Sequence, residues 1–295
     1  MIAFRTLPAT RQAGWLALAA AVLTVGLITY GSWVRASGSG LGCPDWPLCE
    51  GSIVPTLEGD TAIEFGHRVY AGLTMLVTAA AAWLSWRSRR ADPLLAKVLV
   101  GALGAILVQA VLGGITVLTD LHGDVRLAHL SVAMITLALL TGGAVRGLDV
   151  QGLPLPGVRI AAVFAAWGGI VVLVGGSIVG RSLSGACPGL PFCDDLSPVE
   201  AAWLHGTHRT LATLLLLALV GLGVWLTKKG APPLAKALNH TAVLLIVLQI
   251  VVGVTAVANS LPEALRVLHV GIASLIWWAL VTQWVLALKG RSVRG

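Results

Sequence analysis

Apolar residues in this chain fall into eight long stretches, rather than the alternating runs of strands or the stripes of soluble amphipathic helices. They run approximately from Trp15 to Trp33, Phe65 to Trp86, Val98 to Leu118, Leu127 to Val145, Ile160 to Val179, Leu204 to Leu226, Ala237 to Ala258 and Val267 to Leu288. A bilayer core about 30 Å thick takes roughly 20 apolar residues per helical crossing. The pattern therefore predicts an all-α integral membrane protein with eight transmembrane helices. The first stretch is too long for a signal-peptide core, and no small-residue cleavage site follows it, so it is expected to remain as a helix.

Composition agrees, with 57% hydrophobic and only 11% charged residues, far from the roughly 25% charged residues of soluble domains. A net charge of +7 could suggest nucleic acid, but the placement of the charges argues for a membrane and against nucleic acid. Arg5, Arg11, Arg87, Arg89, Arg90, Lys97, Arg146, Arg159, Lys228, Lys229, Lys236, Lys289, Arg291 and Arg294 all fall on one side if eight helices alternate. Asp45, Glu50, Glu58, Asp60, Glu64, Asp120, Asp124, Asp194, Asp195, Glu200 and Glu263 fall on the other. The positive-inside rule makes the basic side cytoplasmic. A multi-pass cell-membrane protein with both termini in the cytoplasm is expected.

The chain also repeats itself with a period of about 140 residues. VRASGSGLGCPDWPLC resembles VGRSLSGACPGLPFC, EFGHRVYAGLTML matches LHGTHRTLATLLL, QAVLGGITVL matches QIVVGVTAVA, and VRLAHLSVA matches LRVLHVGIAS. Cys43 thus pairs with Cys187, Cys49 with Cys193, His67 with His208, Gln109 with Gln249 and His129 with His269. An even number of helices per half gives a parallel repeat, unlike the inverted repeats of many transporters. The expected organisation is an amino-terminal four-helix half over 1–147, a cytoplasmic linker over 148–158 marked by Gly152, Pro154, Pro156 and Gly157, and a carboxy-terminal half over 159–295. Two pseudo-symmetric four-helix bundles follow.

Ionisable residues inside spans are functional candidates by default. His67 and His129 sit about one turn into the second and fourth predicted helices, and His208 and His269 repeat the arrangement on the sixth and eighth. Facing helices of a bundle commonly project cofactor ligands inward, and imidazole is a common axial ligand of heme iron. Interhelical hydrogen bonding is the plainer reading of any one such histidine. Two repeat-related pairs favour one heme per half, and two facing imidazoles suit heme better than a tetrahedral zinc or copper site. The six basic residues away from the cytoplasmic side are Arg35, Arg68, Arg126, Arg181, Arg209 and Arg266. Guanidinium forks match carboxylates, so these are candidate heme-propionate ligands, with interfacial anchoring or pairing to nearby acids as the alternative. His122 and His240 lack repeat partners and lie at helix ends.

The four cysteines form two pairs, Cys43 with Cys49 and Cys187 with Cys193, each in the first outer loop of its half. In an oxidising compartment two local disulfides are expected, each worth about 2 kcal/mol in loop entropy. Stapling of a loop over a heme pocket and dithiol exchange are both open readings. Glu64 breaks the symmetry, because His205 occupies the matching position three residues before the paired histidine. A carboxylate one turn from a heme ligand suggests that one heme is worked upon and the other carries electrons; a helix N-terminal charge is the alternative.

Taken together, the two fused halves, GLGCPDWPLC before EFGHR and a second cysteine loop before HGTHR resemble the heme A synthase family over about Gly31 to Leu288. The resemblance implies oxidation of a methyl group of heme O to a formyl group, yielding the heme A of aa3-type oxidases. It implies that His67 and His129 ligate substrate heme O, that His208 and His269 ligate a heme b, that Glu64 is the catalytic carboxylate, and that the loop cysteines match the family's. With both axial positions taken by histidine, oxygen cannot reach the iron unless one ligand leaves. The expected route removes electrons from the macrocycle, with water as oxygen source and Glu64 as base or transient nucleophile. Heme O delivered by a heme O synthase, an electron acceptor such as quinone, and homo-oligomers are compatible partners. The rival is a diheme b-type, quinone-linked electron-transfer subunit, which leaves Glu64 and the cysteine loops without work. A thiol oxidoreductase leaves the histidines idle, and a transporter predicts broken helices or a polar midplane.

Overall fold

The computed structural model describes residues 7–153 and 158–292. Its helices are α1 (Ala9–Ala36), α2 (Gly59–Arg87), α3 (Pro93–Leu118), α4 (Gly123–Gly147), α5 (Val158–Gly180), α6 (Val199–Lys228), α7 (Pro233–Ala258) and α8 (Glu263–Ser292), with a short 3₁₀ turn at Ser39–Leu41. All eight long helices are long and apolar enough to cross a membrane. They exceed the apolar stretches mainly at the ends, where polar turns extend them. Gly59–Glu64 adds a hydrophilic turn and a half ahead of the apolar run of α2, so His67 lies about two turns into its helix rather than one. Pro154, Pro156 and Gly157 of the expected linker lie outside the described residues.

The chain divides into two compact units, Met1–Leu121 with Ala128–Gln151, and His122–Leu127 with Gly152–Gly295. In the first, α1 packs on α2 and α2 on α3. Ala13, Ala17, Ala20, Ala21 and Thr24 form the buried stripe of α1, since small residues let helices approach where apolar lipid offers no hydrophobic drive. A Cβ on Gly14 would sit 2.6 Å from the backbone of Gly147, and one on Gly143 would meet Leu99, so α4 nests against α1 and α3. Thr74 and Thr78 of α2 are buried, and each hydroxyl donates to the carbonyl four residues before it, leaving no polar group unsatisfied. Asp92 caps α3 through the Leu95 amide at 3.0 Å and accepts Arg146 Nε at 2.7 Å, fastening the end of α4.

The second unit is a closed ring in which α5 packs on α6 and α8, α6 on α7, and α7 on α8. Its core joins Ala165, Leu215, Leu219, Ala242, Ile246, Ile272, Ile276 and Leu280. Asn239 is fully buried and donates to the Leu219 carbonyl at 3.1 Å, a polar tie of α7 to α6. Repetition reaches the backbone: Asp120 and Leu121 end α3 with φ of 49° and 62°, and Ser260 and Leu261 end α7 with 58° and 60°. Leu121 N–H donates to Thr116 and Leu261 N–H to Ala256, closing both ends alike.

Candidate functional site

The site is assembled at the end of each unit where the cysteine loop meets the start of a long helix. In the first unit the Cys43–Cys49 disulfide closes a loop that also contains a cis Trp46–Pro47 peptide; the second has Cys187–Cys193 and a cis Leu190–Pro191 peptide. Asp45 accepts the backbone N–H of Glu50 at 2.6 Å and of Gly51 at 2.9 Å. These bonds, Gly51 foremost, hold its carboxyl below the usual carboxylate range. The Gly42 backbone lies so close to Asp60 that a Cβ would overlap it, and Thr61 Oγ1 donates to the Gly42 carbonyl at 2.9 Å. Thus the loop is built onto the first turn of α2.

Arg68 completes the joint. Its guanidinium donates to the carbonyls of Cys43, Asp45 and Leu48 at 2.9, 2.9 and 2.8 Å, and its Nε meets Glu64 Oε1 at 3.0 Å. Arg209 repeats the carbonyl grip on Cys187, Gly189 and Pro191 at 3.1, 2.8 and 2.9 Å. The sequence suggested propionate contacts for both, whereas the structure commits most of their N–H groups to the loops. Arg181 pairs with Glu200 at 2.7 Å on the exposed surface, the plainer of its two expected roles. Arg126, in the first turns of α4, has a buried Nε without a hydrogen-bond partner, although its terminal nitrogen reaches the Gly180 carbonyl at 3.5 Å. Arg35 and Arg266 sit in the last turn of α1 and the first turn of α8.

Glu64 is the one buried acid among the described residues, at 6% exposure. Among the described residues, only the first half places a carboxylate beside its loop arginine. In the second, His205 is buried at that position and its Nε2 lies 3.0 Å from the Leu183 carbonyl, a structural tie to the preceding loop. His122 and His240 are exposed.

Two of the four histidines, both in the second unit, lie close together. The His208 and His269 rings have centroids 6.4 Å apart and planes inclined at 56°. Two metal–imidazole bonds of about 2.0 Å, plus the ring radii, place opposed ligands roughly 6 Å apart between centroids, so an iron fits between them. In the first unit His67 of α2 lies against Gly31 of α1, and His129 of α4 against Gly113 of α3. All four rings are only partly covered, while the Nδ1 atoms of His67, His129 and His269 are buried without a hydrogen-bond partner. Such a ring keeps one edge against protein and another open to a ligand. Among the described residues no cluster of three or more His, Cys, Asp or Glu side chains could hold a metal ion.

Three neighbours were not foreseen. Tyr30 lies edge-on to His67, with centroids 5.6 Å apart, and Tyr70 lies 6.3 Å from Tyr30. They are the chain's only tyrosines, a signal available in the sequence. Trp46 of the cysteine loop packs over Gly114 on α3, beside the Gly113 that faces His129.

Comparison with known proteins places this arrangement. The model of the COX15-CtaA family, described as cytochrome oxidase assembly proteins, matches residues 14–65 and 58–281. The chain belongs to the COX15-CtaA family. Relatives within reach of it are heme A synthases by name. That of Symbiobacterium thermophilum is 28% identical over 273 residues, covering 86% of this chain and 88% of its own. That of Alkalihalophilus pseudofirmus is 29% identical over 275 residues, covering 86% and 90%. That of Staphylococcus carnosus is 26% identical over 296 residues, covering 96% of each. Membership in the COX15-CtaA family thus extends across both halves and both histidine pairs.

Proposed function

We infer that the protein is a heme A synthase, an oxidoreductase acting on heme O in the membrane, and that the reacting group is a ring methyl converted to formyl. Heme O binds in the first half between His67 and His129, and a heme b in the second between His208 and His269. The observation that carries this division is Glu64: one buried carboxylate, in one half only, one turn before a histidine of the pair. The diheme electron-carrier reading gives it no task.

In balanced form the methyl and one water give the aldehyde, four protons and four electrons. Glu64 takes a proton from the attacking water, or adds briefly to the electrophilic carbon itself. Arg68 holds the carboxylate at 3.0 Å and is fixed in turn by three loop carbonyls, so the base is oriented before substrate arrives. The cysteine loop, gripped by Arg68 and with Trp46 packed over Gly114, borders the site on that side. Arg126 and Arg266 are best placed by residue type and position for propionates. Heme b, when bound, accepts and passes on single electrons. His205, tied to Leu183, offers no equivalent base in the second half.

The protein resides in the cell membrane with both termini cytoplasmic and the cysteine loops outside. Heme O comes from a heme O synthase and electrons leave to a quinone. Two measurements test the reading. Purified protein should carry heme b that His208→Ala or His269→Ala removes while the first-half heme stays. Formation of the alcohol intermediate in ¹⁸O-labelled water should label its oxygen; label arriving only from dioxygen would overturn the water route.

A further inference from the structure

Each of the four paired histidines lies against a glycine of a neighbouring helix, at repeat-equivalent places. A Cβ on Gly31 of α1 would meet Cε1 of His67 at 3.1 Å, and one on Gly113 of α3 would meet Cε1 of His129 at 3.4 Å. In the second unit a Cβ on Gly175 of α5 would meet Cε1 of His208 at 2.9 Å, and one on Gly253 of α7 would meet Cε1 of His269 at 3.0 Å. The ring edge therefore rests on bare helix backbone. His208 shows what this contact allows: its Nδ1 lies 3.1 Å from the carbonyl of Val171, four residues before Gly175. The Nδ1 atoms of His129 and His269 are buried without a hydrogen-bond partner, so these two rings meet their glycines by contact.

We propose that Gly31, Gly113, Gly175 and Gly253 are positioning residues that seat the axial imidazoles, an inference resting on the heme-ligand reading above. A missing side chain lets the ring approach the helix. At His208 the carbonyl one turn earlier accepts the Nδ1 hydrogen at 3.1 Å, which leaves Nε2 as the nitrogen for iron. Metal-bound histidines are commonly oriented by such an acceptor, and its loss costs about tenfold or more in affinity. At His67 the nitrogen nearer to the added Cβ is Nε2, at 3.6 Å against 3.9 Å for Nδ1, and this ring, like those of His129 and His269, is seated by contact.

The experiment uses the full chain purified with its hemes from a host that makes heme O, read by heme content, low-spin electron paramagnetic resonance and carbon monoxide binding. Wild type is expected to show six-coordinate hemes that do not bind carbon monoxide. Gly175→Ala and Gly253→Ala, which demand the largest ring displacement, should lower heme b retention about tenfold, or leave a heme that binds carbon monoxide with shifted g values. Gly31→Ala should act on the first-half heme, and Gly113→Ala, the least crowded, should act least. Gly104→Ala and Gly221→Ala, with nothing within 4 Å of the added Cβ, should leave every signal unchanged. Wild-type spectra in both the Gly175 and Gly253 variants would overturn the proposal. So would loss of folded protein in both while the controls fold, because the glycines would then act through helix packing. Wild type lacking six-coordinate heme would instead overturn the heme-ligand reading itself.

Discussion

Arg68 ties Glu64, the proposed base, to the cysteine loop. Removing the guanidinium leaves a buried carboxylate and three carbonyls without a donor, a loss of about 3 kcal/mol or more. Arg68→Ala is expected to lower turnover and to speed reduction of Cys43–Cys49 by added thiol, whereas Glu64→Gln should lower heme A formation about 100-fold or more with disulfide reduction unaltered. Equal reduction rates in both variants would contradict the joint. Asp45 adds a pH signature. Its carboxyl is depressed chiefly by the Gly51 amide, so its stabilisation is complete above the unfolded carboxylate pKa and is lost as pH falls through the lower folded value. Proteolysis of the loop should therefore accelerate only at acid pH in wild type, and at neutral pH in Asp45→Asn. The Glu64 and His205 asymmetry was legible in the sequence, since aligning the repeat exposes it. The arginine partners were not, because a fork seeking oxygen looks the same whether the acceptor is a propionate or a loop carbonyl.

Helices in this chain are specified by hydropathy and separated by turns that hydropathy does not describe. Number and order of the crossings follow from the apolar stretches; their true ends do not, because Asp60, Thr61 and Glu64 continue α2 in helical geometry while reading as polar. Ser182, exposed with φ of 58°, follows α5 where the first half has Gly38 at 84°. Ser182→Gly is expected to raise thermal stability by about 1 kcal/mol through relief of the left-handed strain, checked by thermal unfolding in detergent. Close approach of α1 and α4 at Gly14 and Gly147 predicts the reverse for Gly14→Leu, a loss of about 1–3 kcal/mol from overpacking. These glycines, and those beneath the histidines, are invisible to a period-based reading because only three-dimensional neighbours show what a Cβ would strike.

At the scale of the whole molecule, cysteine loops, histidines and helix ends recur in the two halves of the chain, while Glu64 stands where the second half has His205. Family membership and the relatives' names agree with the function implied by the two cysteine loops and the HR motifs. Charge placement predicts a topology: thiol-reactive, membrane-impermeant probes should label a cysteine introduced at Ser197 in intact cells, and one introduced at Gly230 only after lysis. The reverse labelling would invert the proposed orientation and move the heme sites to the cytoplasmic face. In the proposed function, the half containing Glu64 oxidises heme O. The most direct measurement is heme extraction and chromatography from a host that makes heme O but not heme A, expressing this chain or its Glu64→Gln variant. Heme A with wild type, and heme O alone with a variant that still carries its second-half heme, is the predicted result. Heme O left unchanged by an intact, heme-loaded wild-type protein would contradict it.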